Sequence, residues 1–128
     1  AFVEEGTSLH YYEAIEASFP NADLLNMATK LLSVSSRPIV STDSIYRQTF
    51  FKEALWREKG AVGVDMETSA LFSVSQYLGL KAVALLMVSD LHPIYQGAPK
   101  WEWSMSKDMR YQLAEQGILL AKTLLSNP

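Results

Sequence analysis

Residues 60–92, GAVGVDMETSALFSVSQYLGLKAVALLMVSDLH, constrain the fold more than any other part of the chain. Residues 82–88, AVALLMV, form an unbroken apolar run after Lys81 that ends at Ser89-Asp90. A run without polar alternation suits a strand buried on both faces, as in a parallel sheet covered by helices. Upstream, residues 61–64 are a shorter apolar run that breaks at Asp65. Between the two, Ala70, Leu71, Val74 and Leu78 recur at helical spacing, and Gly79 stands where a helix stops. The stretch therefore predicts strand, helix, strand, with Asp65 and Glu67 at one strand tip and Asp90 at the other. In open parallel sheets, ligands bind at the carboxyl ends of the strands.

The rest of the chain fits this frame. Residues 1–5 predict the end of a strand, turned by Gly6-Thr7-Ser8. Asn21 or Asp23 caps a predicted helix running to about Ser33, with Leu24, Met27, Ala28 and Leu31 on its inner face. Arg37 precedes Pro38 and is disfavoured as helix, so Ile39 and Val40 read as a short strand ending in Ser41-Thr42-Asp43. This is a third acidic strand tip. Residues 49–59 predict a helix with Phe50, Ala54 and Leu55 inward and Gly60 at its end. A loop rich in Pro and aromatics follows His92, and of the alternating Trp101 and Trp103 only one need face inward. Ser104 or Ser106 opens the last helix, with Met109, Leu113, Gly117, Ile118, Ala121 and Leu125 in register. Strand and helix alternate from Ile39 onward, which predicts an α/β layered domain over residues 1–128 with a mixed, largely parallel sheet flanked by helices.

Composition excludes several function classes. With 128 residues, 48% apolar and 20% charged, one globular domain is expected. The net charge of −3 gives no sign of a nucleic-acid or acidic-membrane partner. There is no cysteine, hence no disulfide or thiolate chemistry. The longest apolar run is too short to span a bilayer, and a cytoplasmic location is the default expectation. His10 and His92 are far apart, and no HExxH spacing occurs, so no metal site is expected. The six glycines form no G-x-G or phosphate-loop pattern. The opening AFVEEG, without a starting methionine, has the look of the middle of a structured segment, and a piece of a longer protein is expected.

Each acidic tip has a structural and a chemical reading. Asp65 can cap the helix, and Glu67 can complement its dipole. Alternatively, Glu67 accepts hydrogen bonds from adjacent hydroxyls of a polyol, which an ionised carboxylate can do for two at once, with Met66 as an apolar contact beside it. Asp90, directly after the apolar run, needs a partner or a raised pKa. It is either a turn residue or a general acid oriented by Ser89. Asp43 and Arg47, four apart, can form a surface ion pair, and Ile45 and Tyr46 between them are either core or a cover for a flat ligand.

Taken together, VDMETSAL at residues 64–71, VSD at 88–90, STDSIY at 41–46 and EGTSLHYY at 5–12 resemble the nucleoside phosphorylase and nucleosidase family. The Met-Glu plus Ser-Asp pair is the more specific part. The resemblance implies the phosphorylase-like three-layer α/β/α fold, incomplete here at its N-terminus, and cleavage of the N-glycosidic bond of purine nucleosides. Phosphate is implied as co-substrate, without a cofactor. Glu67 would hold the ribose hydroxyls, with Met66 against the sugar. Asp90, supported by Ser89, would protonate the purine N7. Ile45 falls where the family stacks an aromatic ring on the base, so Tyr46 would substitute. A homo-oligomer, dimer or hexamer, is implied, with His10, Trp101 and Arg47 as candidates for a neighbour-subunit or phosphate-side contact. The family's glycine-rich phosphate loop has no counterpart in these residues. The intact parent is therefore expected to catalyse, and this stretch alone to be inactive or only to bind. The alternative is a non-catalytic nucleoside-binding or assembly module.

Overall fold

The structure is a computed structural model that describes residues 1–98 and 101–126. Its centre is a parallel three-stranded sheet in the order β1 (Phe2–Glu4), β2 (Val40–Thr42), β3 (Val64–Asp65). Phe2 lies opposite Val40, and Val40 opposite Val64. Bonds from Phe2 N to Ile39 O (2.8 Å), Val40 N to Gly63 O (3.0 Å) and Val62 N to Pro38 O (2.9 Å) extend the ladder toward its start. Because the strands are parallel, Glu4, Thr42 and Asp65 end at one sheet edge. Parallel neighbours need crossovers, and these carry α1 (Ala22–Leu32), between β1 and β2, and α2 (Phe50–Glu58), between β2 and β3, whereas α3 (Thr68–Tyr77) and α4 (Lys107–Ser126) follow β3. This is the expected α/β architecture of a largely parallel sheet flanked by helices. An antiparallel pair, β4 (Asp90–Leu91) with β5 (Glu102–Trp103), makes the strand content mixed.

Local signals set the helix ends. Asn21 accepts from Leu24 N (3.1 Å) and opens α1, which stops at Ser33 in the left-handed region (φ 53°). Thr49 caps α2 by accepting from Lys52 N (3.3 Å), and Gly60 ends the segment at φ 88°. Ser106 caps α4 through Met109 N (3.2 Å). Gly79 follows α3 at φ 68°.

The buried faces differ from the expected ones in each helix. In α2, Glu53 and Trp56 are buried, whereas Phe50 and Leu55 are exposed. Trp56 packs with Val40 and Ala61 against Phe2, and its indole satisfies Glu4, so the amphipathic aromatic outcompetes the flanking apolar residues for the core. In α1, Ala28 is buried but Leu31 is exposed. In α4, which packs on α1, Leu120 is buried, while Ile118 and Leu125 are exposed. A single stripe Met109, Leu113, Gly117, Leu120, Leu124 meets the protein. In α3, the buried side is Ser69, Phe72 and Ser73, and Leu71 and Leu78 face out. Neither Trp101 nor Trp103 is buried.

The largest correction concerns residues 81–88. They join no strand ladder among the described residues, and Leu86 and Val88 are 51% and 59% exposed. Asn21 N to Ala82 O (2.8 Å) ties the start of the run. Further on, Leu85, Leu86 and Met87 line a cavity of about 350 Å³ with Leu32, Val34 and Leu113. An apolar run becomes a doubly buried strand only where a neighbouring strand pairs with it and helices cover both faces, and residues 81–88 pair with no strand of the sheet β1-β2-β3 among the described residues. Asp90 consequently stands in the antiparallel pair, not at the tip of a parallel strand.

Candidate sugar-binding edge

At the common strand edge, carboxylates follow every parallel strand, and the hydrogen bonds separate their duties. Glu4 meets Lys52 Nζ at 2.8 Å and accepts from Trp56 Nε1 at 3.3 Å. The Lys52 hydrogen bond holds its carboxyl below the usual carboxylate range. Asp43 accepts from Gly6 N (2.8 Å) and Ser44 Oγ (2.9 Å), and the Gly6 amide is the main reason its pKa is lowered. It forms no ion pair with Arg47 among the described residues, which corrects that expectation. An amide that is already fixed by the turn costs less to engage than a long exposed side chain.

Asp65 is the cap of α3. It accepts from Thr68 N (3.2 Å), from Thr68 Oγ1 and, on its other oxygen, from Ser41 Oγ (2.6 Å). Ser41 Oγ in turn accepts from Ser69 N (2.8 Å). Two free amides of the first turn are thereby satisfied by Asp65 and Ser41, without Glu67. Glu67 precedes the helix at φ −132°, ψ −32°, and its side chain makes no capping bond. Its carboxylate accepts only from the adjacent Met66 N (3.2 Å) among the described residues and is exposed, as is Met66. An exposed, mostly unengaged carboxylate beside a thioether, at the N-terminus of a helix, can accept two vicinal hydroxyls.

The other candidates fall on the same edge or are tied to it. Ile45, Tyr46 and Arg47 form a short 3₁₀ turn after β2, with Ile45 58% and Tyr46 99% exposed. Neither is core. His10 ends a second 3₁₀ turn (Ser8–His10) after β1 and is exposed. Asp90 is half-buried and accepts from Ser89 Oγ (2.7 Å), so it has the partner that its position demanded. Ser89 O accepts from Ser104 N (2.9 Å) and Met105 N (3.0 Å), which fixes the dipeptide from the far side. His92, two residues on, places Nδ1 2.7 Å from Glu53 Oε1 on α2, where Gln48 Nε2 also donates (2.9 Å). α2 is the helix whose Lys52 holds Glu4. A polar tether thus joins the Asp90 loop to the helix that braces the first strand tip.

Sequence reasoning missed Glu53, Ser41 and Ser69. Glu53 sits mid-helix beside Lys52 and Ala54, and its partners His92 and Gln48 lie outside the helix, so no helical spacing signals them. Ser69 and Ser73 are four apart, a spacing that places both on one helix face. Two cavities lie away from these residues. One of about 490 Å³ is lined by Phe19, Asn21, Phe72, Gln76 and Lys81 among others, and the other adjoins α4. Neither is lined by Glu67 or Asp90. Among the described residues no group of three His, Cys, Asp or Glu is placed to hold a metal, and no helix is long and apolar enough to cross a membrane.

The family model described as Phosphorylase superfamily matches residues 1–126. A DeoD-type purine nucleoside phosphorylase of Clostridium novyi (strain NT) is 29% identical over 96 residues, covering 70% of this chain and 41% of that protein. One from Listeria welshimeri is 36% identical over 61 residues, 48% of this chain and 26% of that protein. One from Alkaliphilus metalliredigens is 35% identical over 52 residues, 41% of this chain and 22% of that protein. The matched stretch spans less than half the length of each. No solved structure matches the chain.

Proposed function

The chain belongs to the phosphorylase superfamily, and on that premise we propose that it supplies the sugar and base side of a purine nucleoside site, in a protein that cleaves the N-glycosidic bond with phosphate. The observation that carries this is the freedom of Glu67. Glu4, Asp43 and Asp65 are each held by structural donors, whereas Glu67 keeps its carboxylate for a ligand. Naming of the relatives as purine nucleoside phosphorylases supports the base and the reaction class.

In this reading Glu67 accepts the ribose 2′ and 3′ hydroxyls and Met66 packs on the sugar. As the bond from C1′ to the base nitrogen lengthens, its electron pair moves to the base and positive charge grows on the ribose. The Glu67 carboxylate gains attraction for that charge as it develops, which is where stabilisation accelerates the step. Asp90, oriented by Ser89, gives a proton to purine N7 so that the base leaves neutral, and a phosphate oxygen bonds to C1′. Ile45 and Tyr46, both exposed above the edge, cover the base. His10 and Arg47 serve the phosphate side or a neighbouring subunit of a homo-oligomer.

Calorimetry with inosine tests the sugar role. The wild-type chain is expected to bind, and Glu67→Ala to bind roughly 30- to 150-fold more weakly. Unchanged affinity in that variant refutes the assignment. In the intact protein, Asp90→Asn is expected to lose turnover and the acidic limb of the pH–rate profile. Near-normal turnover with an unshifted limb removes Asp90 from the chemistry. Release of free purine that does not depend on phosphate makes the reaction hydrolytic instead.

A further inference from the structure

α3 turns a polar side to the protein, and a buried acid accounts for it. Glu5 is 5% exposed and forms no ion pair among the described residues. Its carboxylate accepts from Ser8 N (3.0 Å), Ser8 Oγ and Ser69 Oγ (2.8 Å). Ser8 Oγ also lies 2.7 Å from Ser73 Oγ, which contacts Ser18 Oγ, and these serines are fully or almost fully buried. Ser69 is therefore gripped twice. Its hydroxyl is held by Glu5, past the end of β1, and its amide by Ser41 on β2.

We propose that Glu5 is a positioning residue for Glu67, acting through Ser69 to set the rotation and depth of the first turn of α3. Ser69 is two residues beyond Glu67, and each residue of an α-helix turns the next by about 100°. A slip of the turn swings the Glu67 carboxylate away from where a sugar diol would meet it, and a misplacement of about 1 Å can cost on the order of 100-fold in a positioned reaction. An anion suits the hub because three donors converge on it next to a helix N-terminus. An amide of the same shape presents an NH₂ group to donors.

The proposal rests on the sugar role of Glu67, so the test uses two readouts. One is amide hydrogen exchange at Thr68 and Ser69, measured against residues 74–77 of the same helix. The other is the calorimetric affinity for inosine against 2′,3′-dideoxyinosine, which lacks the diol. Both use the 128-residue chain as wild type, Glu5→Gln and Ser69→Ala, the second variant guarding against a fold lost in the first. In the variants, exchange at Thr68 and Ser69 is expected to rise about tenfold with residues 74–77 unchanged. The preference for inosine is expected to fall about tenfold while dideoxyinosine affinity holds. A merely structural weakening would lower both affinities and loosen the whole helix, and that result overturns the proposal. So does wild-type exchange at Thr68 and Ser69 in both variants. A wild-type chain with no preference for inosine refutes the sugar role of Glu67 instead, and the exchange rates then decide alone whether Glu5 holds the turn.

Discussion

Asp65 and Glu67 stand two residues apart at the head of α3, and their substitution by alanine is expected to have opposite consequences. Asp65→Ala removes the acceptor of Thr68 N and Thr68 Oγ1 and leaves Ser41 Oγ without its carboxylate. Loss of a helix cap costs about 1 kcal/mol, within a range of roughly 0.5–2. A hydroxyl stripped of a charged partner adds roughly 1–2 kcal/mol, because Ser41 is fully buried and water cannot replace the bond. The sum is about 1.5–4 kcal/mol. Glu67→Ala removes one exposed bond from the neighbouring Met66 N, and its effect on folding is expected within about 0.5 kcal/mol.

Binding is expected to reverse the order. A ribose diol on an ionised carboxylate makes two charge-assisted bonds, and net loss of about 2–3 kcal/mol corresponds to roughly 30- to 150-fold weaker inosine binding. Asp65→Ala, measured where it remains folded, is expected to bind more weakly only through a loosened first turn. Urea unfolding followed by tryptophan fluorescence reads the first quantity, and calorimetry with inosine reads the second. If Glu67→Ala destabilises the fold as much as Asp65→Ala does, Glu67 is the cap and its carboxylate is not free for a ligand. The division of labour at this edge then collapses.

Other expectations follow from the same geometry. Trp56→Ala opens a hole beside Val40 and Ala61 and should cost about 3–5 kcal/mol in urea unfolding, whereas Trp56→Phe keeps the packing and loses the bond to Glu4, for about 1 kcal/mol. The folded-state pKa of Glu4 is lowered, so its contribution is present above its ordinary value of 4.5 and is lost as pH falls through the lower folded value. Because the Glu4–Lys52 pair is about one-third exposed, that contribution is at most about 1 kcal/mol, and Lys52→Met should flatten this part of the acid limb of the urea midpoint against pH. Leu86→Ser and Val88→Thr should each change the stability of this chain by less than about 0.5 kcal/mol, where a doubly buried strand would lose several.

Much of the frame was legible because it is local. Two of the three expected acidic strand tips, at Asp43 and Asp65, follow from short apolar runs closed by acids, and the ends of α1, α2 and α3 follow from Asn21, Thr49 and Gly79. The resemblance of residues 64–71 and 88–90 identified the family on few residues. What failed depends on partners distant in sequence. The apolar run at 82–88 reports an affinity for burial, but its neighbours along the sheet decide whether burial occurs. In α3 the helical spacing is carried by Ala70, Leu71, Val74 and Leu78, yet the side that meets the protein holds Ser69, Phe72 and Ser73. Periodicity weighs hydrophobicity and has no entry for a carboxylate waiting on the other side.

That carboxylate explains why serine occupies those places. A buried glutamate without a cation carries a large desolvation cost, offset only if its lone pairs meet donors. Glu5 cannot be served by a lysine here, because its surroundings are Ser8, Ser69 and, one step further, Ser73 and Ser18, all too small to bring a charge. Replacing the whole set by apolar residues of matching size would cost little in stability, since paired polar groups and well-packed apolar ones are nearly equivalent. Removing Glu5 alone strands the hydroxyls, and removing Ser69 alone takes one of the acid's three donors. Stability therefore gives no reason to prefer the network over an apolar plug, whereas orientation does. Hydroxyls on a fixed carboxylate define a rotation of α3 that alanines packed on leucine would leave free, and the residue whose direction that rotation sets is Glu67. A multiple variant with Glu5→Leu and with Ser8, Ser18, Ser69 and Ser73 each changed to alanine strands no hydroxyl of the set and leaves only the Ser8 amide without its acceptor. It is accordingly expected to unfold in urea within about 2 kcal/mol of wild type and still to lose its preference for inosine over 2′,3′-dideoxyinosine. Retention of that preference would mean that the sheet and Asp65 orient the helix unaided.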